Sequence, residues 1–83
     1  MSKTEKQLER LLSLPKDFTW QELVAVMTKH NFEVKTADGS RRKFKHQFTG
    51  KSFYIHAPHP SNIMKPYTLK EAINALRQSG EIE

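Results

Sequence analysis

A change of hydrophobic period in the middle of the chain constrains the fold more than any other feature of the sequence. At residues 20–27 and 69–76, apolar side chains recur three and four positions apart, the spacing of helices with one buried face. Between these segments, from Phe32 to Ala57, apolar and polar residues alternate, which is the spacing of strands with one buried face. The sequence therefore predicts an antiparallel sheet between two helices.

Start and stop signals set the bounds of the predicted helices. Thr19 and Thr68 each precede a glutamate by three positions, a spacing at which the two residues cap the first amide groups of a helix. We expect these helices to span about 19–30 and 68–79. A leucine-bearing stretch near the N-terminus predicts a further helix over about 3–14, which stops before a proline because proline cannot continue a helix.

Two glycine-containing turns divide the alternating segment into three strands. The turns are Asp38-Gly39 and Thr49-Gly50, since glycine accepts the positive φ that tight hairpins need. The result is an α+β fold with the order α-β-β-β-α, preceded by an extra N-terminal helix. We divide the chain into an N-terminal helical extension and linker, 1–16, and one domain, 17–83, because a chain of 83 residues can enclose only one small core.

The second turn sets the predicted register of the sheet. A two-residue turn at Thr49-Gly50 pairs Lys43 with His56 across the second and third strands. The apolar face then carries Phe44, His46 and Phe48, and we expect His46 to be packed and hydrogen-bonded there. The opposite, wet face carries Arg41, Lys43, Lys45, Tyr54 and His56.

The amino-acid composition limits which partners the chain can bind and which kinds of site it can form. The chain has 14 Lys and Arg against nine Asp and Glu, a formal charge of +5, so it attracts polyanions such as RNA or DNA and acidic proteins. The absence of cysteine excludes disulfides and thiolate zinc sites. With no apolar run of signal or membrane length, we expect a cytoplasmic protein without a membrane partner. We expect neither a metal nor a cofactor, because His56 and His59 have no carboxylate or cysteine close in sequence.

The cationic segment GSRRKFKH, residues 39–46, has two interpretations. In the first, clustered Lys and Arg hold nucleic-acid phosphates through charge-assisted contacts, and Tyr54 stacks a base. In the second, the same charges only keep the wet face of the sheet soluble and protect it from edge pairing. The residues that would bind RNA under the first interpretation are Arg41, Arg42, Lys43, Lys45, Tyr54 and Lys65.

Two stretches of the chain resemble the HicA toxins of type II toxin-antitoxin systems, also called the YcfA-like family. The stretch HPSNIMKPYTLKEAINALRQSGEI resembles the family's His-Pro, its Lys-Pro step into a helix with Leu and Ile at core spacing, and its Gly-hydrophobic close. The segment GSRRKFKH is similar to the family's Gly-Ser turn leading into a strand. The two stretches agree in order and separation, and the resemblance runs from about Thr19 to Ile82.

The resemblance implies a fold, an activity and a partner. The fold is that of a double-stranded-RNA-binding domain, which agrees with the α-β-β-β-α order obtained from the residues. The activity is metal-independent cleavage of mRNA, with no cofactor, and the partner is an acidic HicB-like antitoxin.

The chain departs from the family at the residue expected to be catalytic. A histidine commonly follows the Gly-Ser turn, whereas this chain has Arg41 and Arg42 there. A guanidinium cannot act as a general base at neutral pH, but it can hold a phosphate and stabilise the transition state. His56 is then the best remaining candidate for acid or base, and His59 the second. The predicted catalytic residues are therefore His56, His59, Arg41 and Arg42.

Two other functions stay open at the level of the sequence. The same fold can serve as a non-catalytic RNA-binding module, which the missing histidine favours. It can also serve as a protein-interaction domain whose basic face binds an acidic partner without any RNA.

Overall fold

Three helices and three strands follow one another in the predicted order. The computed structural model describes residues 3–58 and 61–82, with side chains from residue 6 onward. The elements are α1 Lys3–Leu12, α2 Trp20–Lys29, β1 Phe32–Asp38, β2 Arg41–His46, β3 Ser52–His56 and α3 Pro66–Gln78. The α-β-β-β-α order and the antiparallel sheet confirm the predicted α+β fold and are consistent with a double-stranded-RNA-binding-domain-like architecture.

Helix α2 begins at the predicted cap and ends close to the predicted residue. The Thr19 side chain accepts a hydrogen bond from the Glu22 amide at 3.1 Å, and the Glu22 carboxylate accepts one from the Thr19 amide at 3.1 Å. This capping box satisfies two amide groups that the helix itself leaves without partners. Asn31, with a φ of 67°, ends the helix in the left-handed conformation that asparagine tolerates.

Helix α3 starts earlier than predicted and by a different device. Pro66 occupies its first turn, where the fixed φ of proline suits a helix and the missing amide costs nothing. The Thr68 hydroxyl donates to the Lys65 carbonyl at 2.6 Å, so it is engaged inside the first turn. The predicted capping box at Thr68 is therefore wrong, because the proline begins the helix two residues before it.

The register of the second hairpin differs from the prediction by two residues. Arg41, not Lys43, pairs with His56. The reason is a four-residue loop: the His46 amide donates to the Lys51 carbonyl at 2.7 Å, and the Gly50 amide donates to the His46 carbonyl at 3.0 Å. A slip of two residues leaves every side chain on its predicted face, since the period of a strand is two.

The longer loop also moves Phe48 out of the sheet. Phe48 lies at the loop, 76% exposed, and so is not part of the apolar face as predicted. Its ring still contacts the His46 ring edge-on, with the centroids 5.9 Å apart.

The core lies between one face of the sheet and the helices. Phe44 is at its centre, with the Trp20 ring edge-on at 5.7 Å and the Phe53 ring stacked at 5.1 Å between centroids. Each such side chain contributes about 1.5–3 kcal/mol when fully buried. The buried apolar residues are Leu11, Phe18, Leu23, Val26, Met27, Phe32, Phe44, Ile55, Met64, Leu69, Ala72, Ile73, Ala75 and Leu76.

Helix α1 is joined to this core by the buried side chain of Leu11 and by Arg10. Arg10 donates to the carboxylates of Asp17 and Glu22 at 3.0 Å each, and its guanidinium lies 5.4 Å from the Phe18 ring centroid. The hydrogen bond from Arg10, with those from Thr19, outweighs burial and holds the pKa of Glu22 below its usual value.

The division of the chain into 1–16 and 17–83 stays a prediction. Within the described residues, no helix is long and apolar enough to span a bilayer.

Candidate functional site

The outer face of the sheet, away from the helices, carries the predicted basic residues. Strand β1 adds charges that the sequence reasoning did not place there: Lys35 pairs with Lys43, Glu33 with Lys45 and Asp38 with Arg41. Like charges directly opposite each other destabilise a sheet, and the Glu33 carboxylate, 4.0 Å from Lys35 Nζ, offsets part of this repulsion. We call this surface, formed by Lys35, Arg41, Lys43, Lys45, Tyr54 and His56, the basic face.

Tyr54 supports the arginine that follows the Gly39-Ser40 turn. The Arg41 guanidinium carbon lies 4.3 Å from the Tyr54 ring centroid, and Lys43 Nζ lies 6.0 Å from the same centroid. Arg41 Nε is buried, and no hydrogen-bond partner for it lies in the part of the chain that the structure describes. Arg41 covers one face of the Tyr54 ring, and the stacking of a base on Tyr54 stays a prediction.

Arg42 does not join the basic face. It alternates to the opposite side of β2, where it pairs with Ile55. Its Nη1 donates to the Gly39 carbonyl at 2.8 Å and to the Arg41 carbonyl at 3.2 Å. The two consecutive arginines therefore diverge, and Arg42 braces the turn from which Arg41 extends.

His56 lies directly across from Arg41 and is held by the turn. The Ala57 amide donates to the Ser40 carbonyl at 2.7 Å, which brings the end of β3 against the Gly39-Ser40 turn. His56 Nδ1 then lies 3.2 Å from the Ser40 hydroxyl. A hydroxyl can donate or accept, so Ser40 supports either tautomer and the protonated ring. The hydrogen bond at Nδ1 orients the exposed His56 side chain, and no described residue bonds to its Nε2.

A cleft of about 280 Å³ opens beside His56. Lys65, which precedes α3, lines this cleft together with Tyr67 in the first turn of the helix. The remaining described residues of its wall are Ala57, Pro58, Ser61, Ile63, Met64 and Thr68. His59, the second histidine predicted to be catalytic, lies outside the described residues.

Lys45 is on the basic face but far from His56. It is exposed and pairs with Ser52, at the opposite end of the β2–β3 ladder from the Arg41–His56 pair. Lys45 is four strand positions from Arg41, a distance of about 13 Å. Lys45 therefore does not lie beside His56.

His46 is packed and hydrogen-bonded on the inner face, as predicted. It is 1% exposed. Its Nδ1 accepts from the Thr49 amide at 3.1 Å, so Nε2 carries the proton and donates to the Glu81 carboxylate at 2.8 Å. Burial acts to raise the pKa of Glu81, but hydrogen bonds from His46 and Asn31 outweigh it and lower that pKa.

Sequence reasoning missed two residues of this site, Lys35 and Ser40. The alternation that placed Phe32 and Val34 inside also places Lys35 outside, so pairing the first hairpin would have found it. Ser40 gave no comparable signal, because its contact with His56 joins residues 16 positions apart.

Comparison with known proteins gives a family for most of the chain. The family model described as HicA toxin of bacterial toxin-antitoxin matches residues 20–80 of the 83. No curated protein and no solved structure matches the chain. In the described segments, no three His, Asp or Glu side chains are grouped as metal ligands would be.

Proposed function

We propose that this chain, which belongs to the HicA toxin family of bacterial toxin-antitoxin systems, is an endoribonuclease that binds and cleaves mRNA. The observation that supports the proposal best is the pairing of His56 with Arg41 at one end of the basic face. A proton-transfer group and a phosphate-binding group lie side by side there, each held by a second residue, Ser40 or Tyr54.

The reaction requires two proton transfers and one cation. The ribose 2′-oxygen attacks the adjacent phosphorus, its proton passes to a base, and the P–O5′ bond breaks as an acid protonates the departing 5′-oxygen. The products are a 2′,3′-cyclic phosphate and a 5′-hydroxyl. We assign one of the two proton transfers to His56, and His59 remains the second candidate.

Arg41 supplies the cation. Charge that builds on the non-bridging phosphoryl oxygens is stabilised by donors already in position, without reorganisation during the reaction. Arg41 Nε is buried, so the phosphoryl oxygens would be contacted by the terminal nitrogens of the guanidinium. Arg42 acts indirectly in this scheme, since its guanidinium is bonded to the carbonyls of the turn.

The remaining cations bind the RNA backbone on both sides of the reacting phosphate. Lys43 lies two positions along β2 from Arg41 on the basic face, and Lys35 pairs with Lys43. Lys65 lines the cleft beside His56. Such contacts release counterions and make binding depend on salt. The mechanism uses only these side chains and is independent of metal ions.

We further propose that the chain acts in the cytoplasm, where its mRNA substrates are, and that a HicB-like acidic antitoxin neutralises it. An acidic protein is complementary to the formal charge of +5 and to the basic face.

A non-catalytic RNA-binding module is the second candidate function. The observation in its favour is that arginine occupies the two positions after the Gly39-Ser40 turn, so His56 is the single histidine on the described outer face of the sheet. Binding by Arg41 and the lysines needs no proton transfer.

Incubation of the purified chain with a labelled single-stranded RNA in EDTA separates the candidates. We expect fragments with a 2′,3′-cyclic phosphate at one end and a 5′-hydroxyl at the other. We also expect growth arrest on induced expression, relieved by an acidic protein encoded beside the toxin. RNA that is bound but intact would support the binding module, and RNA that is neither bound nor cut would leave a protein-interaction domain.

A further inference from the structure

We propose that the cleft beside His56 binds one unpaired nucleobase, stacked on Tyr67, so that RNA enters this site as a single strand. The proposal rests on the RNA-binding part of the proposed function and is independent of cleavage.

The dimensions of the cleft suit a single planar group. Cavities for small molecules range from about 300 to 1,000 Å³. At about 280 Å³ the cleft lies just below that range, a size that suits one ring system.

The walls of the cleft suit the faces of a base. Ala57, Pro58, Ile63 and Met64 form apolar walls, and Tyr67 supplies an aromatic ring that is 61% exposed. Base–aromatic stacking tolerates any base because every base has a π-face. Tyr54, the other exposed tyrosine, already has Arg41 on its ring, so Tyr67 is the better platform.

The charge at the rim selects a nucleotide over an uncharged apolar ligand. His56 and Lys65 both border the cleft, and no carboxylate is among its described lining residues. A base in the cleft would have its own phosphate between Lys65, a cation, and the His56 ring, which can donate a hydrogen bond.

The cleft is continuous with the basic face through His56, which belongs to both. A strand whose phosphates follow Lys43 and Arg41 therefore reaches the cleft at the next nucleotide. In an A-form duplex the bases are stacked and paired, and only unpaired bases can turn outward into such a site. The fold is that of a duplex-binding domain, but the cleft favours single-stranded RNA.

The test uses an oligonucleotide that cannot be cleaved, a 2′-O-methyl RNA of about a dozen nucleotides with 2-aminopurine at one position. Its affinity and 2-aminopurine fluorescence are measured for the single strand and for the same strand in a duplex. Tyr67→Ala is compared with Tyr67→Phe, which keeps the ring, and circular dichroism confirms that both variants fold.

We expect the single strand to bind at least 10-fold more tightly than the duplex, with quenched 2-aminopurine fluorescence. Tyr67→Ala should weaken binding by about 5–150-fold and abolish the quenching, while Tyr67→Phe preserves both. Equal or tighter duplex binding, or unchanged binding by Tyr67→Ala, would overturn the proposal.

The test distinguishes failure of the base site from failure of the proposed enzyme function. Stacking of the uncleavable strand, with natural RNA left intact, would uphold the base site and refute the enzyme. Cleavage of natural RNA, together with unchanged binding of the uncleavable strand by Tyr67→Ala, would refute the base site and leave the enzyme standing.

Discussion

His46 and His56 lie on opposite faces of the same sheet, and their surroundings differ in every respect that matters to function. His46 is 1% exposed, and both of its ring nitrogens are engaged, one by Thr49 and one by Glu81. His56 is exposed and is bonded to Ser40 through Nδ1 alone among the described residues. The first histidine is a structural element, and the second keeps a nitrogen available for proton transfer.

Under the proposed function, it is bonding and not residue type that separates a structural histidine from a catalytic one. A ring whose two nitrogens are bonded inside the core stabilises the fold but cannot exchange a proton with substrate. A ring bonded on one side is oriented and still reactive, the arrangement expected of a general acid or base. Variants of these residues, and of the charged residues around them, can test the difference.

The largest expected effect is the loss of cleavage in His56→Ala. We expect the single-turnover rate of RNA cleavage to fall by about 10²–10⁴-fold, the usual contribution of a general acid or base. RNA affinity should fall far less than the cleavage rate, because Arg41 and the lysines remain to bind phosphate. The midpoint of thermal unfolding should stay close to that of the wild-type chain, because the side chain is exposed. A cleavage rate within a few-fold of wild type would contradict the role given to His56.

His46→Ala should show the opposite pattern. It removes a buried ring and leaves the Glu81 carboxylate without its closest donor, so we expect the free energy of unfolding to fall by about 2–4 kcal/mol. Chemical denaturation measures this loss, and His56→Ala is the matched control. The cleavage rate per folded molecule should change little. A stability equal to that of the control would show that the His46–Glu81 bond does not support the fold.

The basic face should determine the salt dependence of RNA binding. In the double variant Arg41→Ala, Lys43→Ala, the slope of log affinity against log salt should decrease by about 1.4, or 0.7 for each phosphate contact with a single strand. Lys6→Ala, Lys16→Ala is the control, because it removes the same charge from exposed residues outside the sheet. Equal slopes for the two double variants would mean that net charge alone attracts the RNA.

The smallest expected effect is on stability in acid. Glu22 and Glu81 both have a pKa below the usual value, so each stabilises the folded state above about pH 4.3 and loses that contribution as the pH falls through its folded pKa. Glu22→Gln and Glu81→Gln should therefore be less stable than wild type near pH 6 and approach it near pH 3. Denaturation curves across this range measure the difference, and parallel pH profiles would contradict both assignments.

Much of the fold was predictable because it depends on local spacing. The stripe of α2 and its cap at Thr19 lie within a few residues of each other, and both were confirmed. The start of α3 was predicted wrongly because two local signals competed there, and the proline at position 66 took precedence over Thr68. The β2–β3 loop was predicted too short because Thr49 donates its amide to the His46 ring, a bond that sequence spacing does not reveal.

The candidate site was predictable only in part. Alternation placed Arg41, Lys43 and His56 on one face, and that assignment survived the register error because a two-residue slip preserves parity. The close contacts of the site were not accessible in this way. Ser40 meets His56 across 16 residues, and Glu81 meets His46 across 35.

The order of the elements and the face on which each strand residue lies follow from local spacing, because helix and strand periods are properties of neighbouring residues. Three other features depend on the tertiary structure. His56 pairs with Arg41, Arg42 bonds to the carbonyls of the Gly39-Ser40 turn, and a cleft opens beside Tyr67. These features depend on the distances at which separate elements meet, and packing of the core sets those distances only after the elements have formed.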